Sequence, residues 1–421
     1  MMDEFNLFNH SVNSSEGKFQ FSVKDSICTK DMPTTAGSQI LSNYTPRFDA
    51  TVVEKLKKAG GVCVGKTAMD AFGFGSFSVN VGLDKKVPKN PLDEERVCGG
   101  SSGGAAGAVA ALGENHIALG QSTGGSIACP AAFCGVVGLT PTYGRVSRYG
   151  LLSYANSLDK IGPITKTVQK SAEILEIISG ADGKDATCVE KEKGFSEDIG
   201  RDISGLKIGI ISEAFGEGVD TEIAESVRHA AGMLGEVEEV SLPITMKYGV
   251  STYYLIALTE ASTNLAKYCG LRYGKEGSPE GVSFNDYFSS VRSENFNKET
   301  KRRIILGTFA RMAGYRDAYY LKAMKVRQLI IDEYKKLFEK YDVLISPSMP
   351  VIAPRFDEVE NMTPMQQYMM DILTVGPNLA GMPHISIPCG KKDGMPIGML
   401  IIGDHWNEKR IIQVANYYEK K

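Results

Sequence analysis

The sequence GGSSGGAAGAVAAL, residues 99–112, joins a glycine- and serine-rich turn to an alanine-rich run that can form a tightly packed helix. A second turn, GQSTGGS at residues 120–126, directly follows a short predicted strand at 117–119. Glycine clusters permit positive φ angles and close backbone approach, so they occur where a turn presents main-chain N–H groups. The two turns therefore predict a site built from backbone amides and serine hydroxyls.

Hydrophobic periodicity divides the rest of the chain into short strands and longer helices. Strands are predicted at 19–27, 61–65, 206–211, 237–240, 343–346, 385–388 and 397–402. Helices are predicted at 52–59, 171–178, 221–234, 253–268, 301–338 and 408–419, and the helix at 301–338 is expected to break near Gly314. The β-α-β rhythm between residues 206 and 240 predicts a mixed or parallel sheet covered by helices.

The bulk composition is that of an ordinary globular protein. The chain has 421 residues, of which 43% are hydrophobic and 23% charged, and its net charge is −3. Such a chain is not expected to hold nucleic acid by itself, because that binding depends on an excess of basic side chains. The polar start predicts no signal peptide, and no apolar run approaches the roughly 18 residues of a membrane span.

Eight cysteines are scattered along the sequence without the paired spacing of a metal site. This scatter fits reduced thiols better than a disulfide framework. Most of these cysteines are expected to be small buried apolar residues. We therefore expect a cytoplasmic protein.

Ser126, the last residue of the second turn, is the candidate nucleophile. A serine hydroxyl is a poor nucleophile unless a base takes its proton. The tetrahedral intermediate also needs hydrogen-bond donors for its oxyanion, and the backbone N–H groups of a tight glycine turn can supply them. The segment 123–126 offers several such amides at once.

The base is the less obvious member of this site. Histidine is the usual choice, but none of the five histidines lies in a motif with a plausible nucleophile. Lys66 closes the apolar strand GVCVGK, and burial there would lower its pKa toward neutrality. A serine of the run 99–104 could relay the proton, since a hydroxyl both accepts and donates. The alternatives are a solvated surface lysine and a flexible glycine loop.

Taken together, these motifs resemble the signature of the amidase signature family, which spans Gly99 to Leu139 here. The resemblance implies that Lys66 is the base, that Ser101 is the bridging serine in a cis peptide, and that Ser126 is the nucleophile. Ser102 is the weaker candidate for the bridge. The oxyanion amides would be those of Thr123, Gly124, Gly125 and Ser126.

The same resemblance implies a fold and a domain plan. The fold is expected to be one large α/β/α domain with a mixed central sheet covered by helices. A short N-terminal extension is expected at 1–17 and the amidase signature domain at 18–421. Within that domain, the catalytic core is expected at about 20–180 together with 378–421, and a substrate-side helical region at about 245–375.

Longer stretches are most similar to one branch of the family, the A subunits of glutamyl-/aspartyl-tRNA amidotransferases. They lie at 23–27 (VKDSI), 49–70, 139–168, 260–274, 301–330 and 378–390. The resemblance implies a glutaminase that hydrolyses glutamine to glutamate. Its ammonia would convert Glu-tRNA(Gln) to Gln-tRNA(Gln), Asp-tRNA(Asn) to Asn-tRNA(Asn), or both.

The branch also implies partners. The B and C subunits of the amidotransferase would complete a heterotrimer, and tRNA would be contacted through the complex. No cofactor is expected in the chain itself, because the sequence lacks a GxxxxGK[ST] phosphate-binding loop. ATP and Mg²⁺ are therefore expected in the partner that acts as kinase and transamidase. No membrane is involved in this scheme.

The resemblance implies that three further residues bind the substrate glutamine. Arg303 would bind the α-carboxylate, because a guanidinium can contact both oxygens. Asp371 would bind the α-ammonium, and Tyr253 would contact the side chain. The alternative for Arg303 is a surface charge on a basic helix start, as for its neighbours Lys301 and Arg302.

Two departures from the family pattern lie at the second turn. Ser122 stands where the family usually has aspartate, and Ala128 stands where it has arginine. Because both members of an expected ion pair are missing together, we interpret this as a compensated change. Two other functions stay open, a stand-alone amidase acting on small amides and a non-catalytic scaffold, and glutaminase assays with and without the partner proteins distinguish them.

Overall fold

An eleven-stranded sheet runs through the chain in the computed structural model, which describes residues 3–12, 17–82 and 86–421. Two of the strands, β4 and β5, form a small separate hairpin, and all the others belong to the large sheet. The strands are β1 (Phe8–Ser11), β2 (Phe19–Lys24), β3 (Gly61–Thr67), β4 (Lys89–Asn90), β5 (Asp93–Val97), β6 (His116–Ser122), β7 (Val137–Thr140), β8 (Lys160–Thr165), β9 (Ile208–Ile211), β10 (Val237–Val240), β11 (Val343–Pro347), β12 (His384–Lys392) and β13 (Met395–Gly403).

The sheet order is β1-β3-β2-β6-β8-β7-β12-β13-β11-β9-β10. The strands β3, β2 and β6 run parallel to one another, as do β11, β9 and β10. Every other neighbouring pair is antiparallel. The expectation of a mixed central sheet is therefore confirmed.

The described part of the extension at 1–17 contributes to this sheet. Residues 8–11 form β1, which pairs antiparallel with β3 at the edge. Residues 1–2 and 13–16 of the same segment lie outside the described residues. The first strand of the sheet is thus a strand that sequence analysis did not predict.

Helices cover both faces of the sheet. They are α1 (Thr51–Lys58), α2 (Gly103–Leu112), α3 (Ala128–Cys134), α4 (Val168–Ile178), α5 (Thr221–Gly232), α6 (Pro243–Asn264), α7 (Phe284–Asn295), α8 (Lys298–Arg311), α9 (Lys322–Phe338), α10 (Phe356–Asn361), α11 (Pro364–Met369), α12 (Val375–Ala380) and α13 (Glu408–Glu419). One face packs against α1, α4, α5 and α13 in a single apolar core. The other face packs against α2 and α3 in one cluster and against α6, α9 and α12 in another. The α/β/α architecture is confirmed.

Strand alternation decides which side chains reach which helix layer, because successive residues of a strand point to opposite faces. On β6, Leu119 joins the core under α1 and α4, whereas Ala118 joins the cluster with α2 and α3. On β2, Val23 belongs to the first of these layers. The next residue, Lys24, must therefore point to the face that carries α2 and α3.

The helical region at 245–375 is not continuous, since α6 ends at Asn264 and α7 begins at Phe284. The predicted break near Gly314 is confirmed, since α8 ends at Arg311, α9 begins at Lys322, and Gly314 has a φ of 86°. The strand β11 also lies within this region, at the centre of one half of the sheet.

All eight cysteines are free thiols, and six of them are buried. No helix in the described ranges combines the length and the apolar character that crossing a membrane requires.

Candidate active site

The nucleophile turn, defined as residues 122–126, connects β6 to α3 on the face of the sheet that carries α2 and α3. Ser126 lies at the end of this turn and is 7% exposed. Its two glycines approach neighbouring elements too closely for a side chain. A Cβ on Gly124 would lie 2.6 Å from the Tyr253 ring, and one on Gly125 would lie 2.4 Å from Thr374 Oγ1. The GG pair is thus required by packing.

Three side chains form a continuous hydrogen-bonded relay that ends at Ser126. The Lys24 amine donates to Ser101 Oγ at 2.7 Å, and the Ser101 hydroxyl donates to Ser126 Oγ at 2.8 Å. The peptide bond between Gly100 and Ser101 is cis, as the resemblance implies. Ser102 instead donates to the carbonyl oxygen of Gln121 at 3.2 Å. The structure therefore brings Ser101 and Ser126 together, and leaves Ser102 out of the relay.

The prediction that Lys66 supplies the amine of this relay is wrong. Lys66 is buried, but its Nζ donates to the carbonyl oxygen of Ile27 and to the hydroxyls of Thr29 and Thr34, the latter two at 3.1 and 3.0 Å. These partners belong to the loop that follows β2. Lys66 therefore holds that loop in place and does not contact Ser101.

The register of β2 and β3 explains why one lysine reaches the site and the other does not. Lys66 is paired with Val23 across the two parallel strands, whereas Lys24 is paired with Thr67. Lys66 thus points to the same face as Val23, away from the nucleophile turn. In addition, β2 is the direct neighbour of β6, and β3 lies one strand further out.

The surroundings of Lys24 favour its neutral form. Burial lowers the pKa of Lys24 to about 7, and the carboxylates of Asp70 and Asp159 oppose that shift. Gln121 links two of these groups, because its Oε1 accepts from Lys24 at 3.1 Å and its Nε2 donates to Asp159 at 2.8 Å. Burial also raises the pKa of Asp159 to about 7. A lysine with this pKa can accept a proton near neutral pH.

Arg303 lies in an aromatic cage and not at the surface. It is 3% exposed, its Nε donates to Glu299 at 2.8 Å, and its Nη1 donates to Tyr154 Oη at 2.9 Å. Its guanidinium lies 5.2 to 5.4 Å from the ring centroids of three aromatic residues. These are Phe74, Tyr254 and Tyr368. The alternative interpretation as a surface charge is therefore wrong.

Asp371 lies beside the nucleophile turn. One carboxylate oxygen accepts from Ser76 at 3.0 Å and the other accepts from Tyr254 at 2.8 Å. The first of these oxygens is 3.6 Å from the position that a Cβ on Gly125 would take. Burial raises the pKa of Asp371, whereas both hydroxyls and the charge of Arg303 lower it. The Asp371 carboxylate thus lies beside the turn and within electrostatic reach of Arg303.

Tyr253 contacts the turn directly, with its hydroxyl 2.8 Å from Thr123 Oγ1. The neighbouring Tyr254, which sequence analysis did not single out, contacts both Asp371 and the Arg303 cage. Two adjacent tyrosines on one helix can both reach the site because α6 is buried on most of its circumference. Tyr253 therefore contacts the nucleophile turn, and Tyr254 links Asp371 to the aromatic cage of Arg303.

The two departures at the turn leave no uncompensated charge. Ser122 is buried, and its hydroxyl lies 3.5 Å from Asn378 Oδ1. Ala128 is fully buried at the start of α3, where it joins an apolar cluster. A neutral pair of side chains therefore occupies the positions at which the family pattern has charges.

Sequence analysis missed Lys24, Gln121, Asp159 and Tyr154. Lys24 lies in VKDSI, a stretch that carries the family resemblance but contains no catalytic motif of its own. The available signal was a lysine at the end of a second alternating strand. Choosing between the two strand-end lysines needs the strand order, which the sequence does not give directly.

Comparisons with known proteins find similar sequences over most of this chain. The sequence model of the Amidase family matches residues 20–412. Two curated relatives are each named as the A subunit of glutamyl-tRNA(Gln) amidotransferase. The one from Geobacillus sp. (strain WCH70) is 50% identical over 403 residues, which cover 94% of this chain and 82% of the relative. The one from Methanococcoides burtonii is 48% identical over 402 residues, which cover 94% and 83%.

A crystal structure of the A subunit of glutamyl-tRNA(Gln) amidotransferase from Thermotoga maritima is also similar. It superposes with a TM-score of 0.85 at 40% sequence identity, covering 99% of this chain and 88% of that one. The likeness therefore extends over the whole sheet and both helix layers, not only over the glycine-rich turns.

Proposed function

Because the chain belongs to the amidase family, we propose that it hydrolyses the side-chain amide of glutamine, with Ser126 as nucleophile and Lys24 as base. The observation that carries this proposal is the unbroken relay from the Lys24 amine through Ser101 to Ser126. A buried amine with a pKa of about 7 supplies the base that a serine nucleophile needs.

In the proposed reaction, Ser126 Oγ attacks the carbonyl carbon of the glutamine amide. With Lys24 neutral, both hydroxyls turn so that Ser126 donates to Ser101 and Ser101 donates to the Lys24 amine. The proton of Ser126 then passes to Ser101, and the proton of Ser101 passes to Lys24. When the C–N bond of the tetrahedral intermediate breaks, the relay returns a proton to the leaving nitrogen, which departs as ammonia. Water then hydrolyses the glutamyl ester along the same relay and releases glutamate.

The oxyanion of the intermediate is proposed to bind the backbone amides of the nucleophile turn. Thr123, Gly124, Gly125 and Ser126 are the four residues assigned to this role. Amides held in position before the reaction stabilise developing charge without reorganisation. The close packing of Gly124 and Gly125 against Tyr253 and Thr374 supports such a fixed turn.

Glutamine fits the charges around Ser126. Arg303 is proposed to bind the α-carboxylate and Asp371 the α-ammonium, while Tyr253 borders the side chain. A small neutral amide could form an ion pair with neither side chain, whereas the α-carboxylate and α-ammonium groups of glutamine could pair with Arg303 and Asp371. The presence of both charges in one enclosed site therefore favours an amino-acid amide over a small neutral substrate.

The ammonia is proposed to serve a tRNA-dependent amidotransferase in the cytoplasm. The relatives' names support this, since each is the A subunit of a glutamyl-tRNA(Gln) amidotransferase. The B and C subunits would complete a heterotrimer, and the kinase and transamidase partner would bind ATP and Mg²⁺. The net charge of −3 agrees with contacting tRNA mainly through that partner.

A single substitution tests the assignment of the nucleophile. In the assembled complex, Ser126→Ala should lower glutamine-dependent amidation of tRNA by at least about 1,000-fold, because no other group takes over a covalent role. Amidation driven by ammonium chloride should stay at the wild-type rate, since free ammonia bypasses glutamine hydrolysis. Retention of glutamine-driven activity in this variant would refute the proposed nucleophile.

The second candidate function is a stand-alone amidase that acts on small amides. It would use the same relay but would need neither Arg303 nor Asp371. Hydrolysis of small amides by the isolated chain, with no preference for glutamine, would favour it. Loss of glutamine affinity in Arg303→Met, with an unchanged rate on a small aliphatic amide, would favour the glutaminase.

A further inference from the structure

Asn378 is a buried side chain on α12 that the proposed reaction does not itself use. It is 1% exposed, and its Nδ2 donates to the carbonyl oxygen of Gly124 at 3.0 Å and to that of Thr374 at 2.9 Å. Its Oδ1 lies 3.5 Å from the Ser122 hydroxyl, which donates to it. One amide group therefore joins the start and the middle of the nucleophile turn to α12.

His384 lies beside this amide, whose two hydrogens are donated to the carbonyl oxygens of Gly124 and Thr374. Its Nε2 lies 3.3 Å from Asn378 Nδ2, and its Nδ1 lies 3.2 Å from the carbonyl oxygen of Met382. Burial lowers the pKa of His384 to about 3, so the ring is neutral. With Nδ1–H donating to the Met382 carbonyl, Nε2 is left as an acceptor. The NH₂ end of Asn378 is therefore the end that faces His384 and Gly124.

The carbonyl groups of the turn determine where its N–H groups point, because the C=O and N–H bonds of a trans peptide are opposed. The Gly124 carbonyl points at Asn378, so the N–H of Gly125 points away from α12. The Gly125 carbonyl accepts from the N–H of Cys129 at 2.8 Å, so the N–H of Ser126 points away from α3. Both amides belong to the set assigned to the oxyanion.

The segment that carries Asn378 also carries the proposed ammonium ligand. Thr374 Oγ1 donates to the carbonyl oxygen of Asp371 at 3.1 Å and occupies the space beside Gly125. The segment 371–378 thus contacts the turn through Thr374 and Asn378 and presents the Asp371 carboxylate beside it. Substrate binding and the orientation of the turn depend on one short stretch of chain.

We propose that Asn378 is a positioning residue, whose side-chain amide clamps the Gly124 carbonyl so that the N–H of Gly125 meets the substrate oxygen in the transition state, beside the N–H of Ser126, which the Cys129 contact orients. This inference rests on the proposed function and deepens it. Asn378 touches no reacting atom, so its removal should impair the chemical step more than glutamine binding.

The test compares Asn378→Ala and Asn378→Asp with the wild type in the assembled complex. Asn378→Asp keeps the size of the side chain but places an oxygen against the Gly124 carbonyl, so the clamp becomes repulsive. Because a misplacement of about 1 Å can cost about 100-fold in rate, both variants should lower kcat for glutamine by about that factor. The KM for glutamine should stay within about threefold of the wild type, since ground-state contacts are kept.

Two controls separate positioning from folding. Ammonium-dependent amidation should be unchanged in both variants, which shows that the complex is intact. Asn416→Ala removes a buried asparagine of matched size, whose Oδ1 accepts from the N–H of Gly200 at 3.1 Å on the far side of the sheet. This control should keep the wild-type kcat for glutamine.

Three results would overturn the inference. They are a kcat close to wild type, a raised KM with unchanged kcat, and a parallel fall in ammonium-dependent activity. Failure of the proposed function looks different, because Ser126→Ala would then retain glutamine hydrolysis or the wild type would show none. In that case kcat on a small aliphatic amide that the wild type hydrolyses gives the same comparison for Asn378.

Discussion

A lysine accepts a proton near neutral pH only where its surroundings penalise the ammonium form. Lys24 and Lys66 are both fully buried, and burial lowers the pKa of each, so burial alone does not distinguish them. Their contacts do. The Lys24 amine donates to a hydroxyl that leads on to Ser126, whereas the Lys66 amine donates into a loop that leads away from it. Lys24 is therefore assigned as the base because its amine is connected to Ser126 by hydrogen bonds, whereas the Lys66 amine is not.

Replacing each lysine by methionine separates these roles. Lys24→Met should lower kcat/KM for glutamine by about 100- to 10,000-fold, the contribution typical of a general base. Lys66→Met should keep kcat/KM within about tenfold of the wild type but lower the melting temperature, because buried acceptors lose their donor. Steady-state glutaminase assays and thermal unfolding of both variants measure this difference. A reversed pattern would restore Lys66 as the base.

The pH dependence of the wild type gives the same prediction a second readout. Lys24 must be neutral to accept a proton, so kcat/KM should fall about tenfold per pH unit below the pKa of about 7 and level off above it. The residual activity of Lys24→Met should lack this acid limb. If the limb persisted there, it would belong to another group, such as Asp159, whose pKa burial also raises to about 7.

At the scale of elements, the conformation of the nucleophile turn depends on its close contacts with α12 and with Thr374, which directly precedes that helix. A Cβ on Gly125 would lie 2.4 Å from Thr374 Oγ1 and 3.2 Å from Thr374 Cβ. Gly125→Ala should therefore displace the turn and lower kcat for glutamine by about 100-fold. Adding Thr374→Ala removes the closest atom, and the double variant should recover part of the loss, because substitutions in contact are not additive.

The matched control for this prediction is Gly232→Ala at the end of α5, where a Cβ meets no atom within 4 Å. It should leave the rate of glutamine hydrolysis unchanged. A double variant no better than Gly125→Ala alone would show that Thr374 is not what excludes a side chain at this position.

Some of the strands and helices could be predicted from the sequence and others could not. The strands near residues 61, 208 and 343 and the helix break at Gly314 follow from local hydrophobic runs and one glycine. By contrast, β8 contains Gly162 and Pro163, which normally argue against a central strand. It is nevertheless paired on both sides, with β6 and β7. Tertiary pairing outweighs local preference there, so the sequence pattern could not reveal this strand.

At the scale of the whole molecule, only those site residues that stand in a recognisable local motif could be predicted from the sequence. Ser101 and Ser126 stand in glycine-rich turns that are recognisable by themselves. The choice of Lys24 over Lys66 depends on β2 lying next to β6, which is a property of the complete sheet. The contacts of Asn378 depend on a segment more than 250 residues away from the turn that it holds, as its bond to Gly124 shows.

Because distant segments build the site, contacts between segments that are far apart in the sequence matter for the fold as a whole. Arg145 and Glu408 form such a contact, an ion pair at 2.8 Å with side chains that are 2% and 0% exposed. Glu408 also accepts from the N–H of Thr142 at 2.9 Å, and the Arg145 guanidinium lies 5.0 Å from the Trp406 ring centroid. This pair fastens the start of α13 to the segment after β7.

Breaking the pair from one side should destabilise the whole molecule. Glu408→Gln keeps the shape of the side chain but leaves the Arg145 charge buried without its counter-ion, which costs about 3–5 kcal/mol of unfolding free energy. The matched control is Glu173→Gln, which breaks an exposed pair with Lys170 and should cost less than about 1 kcal/mol. The midpoints of urea unfolding for both variants measure the difference. Equal midpoints would mean that the buried pair contributes no more than a surface contact, and that apolar packing alone joins the start of α13 to the segment after β7.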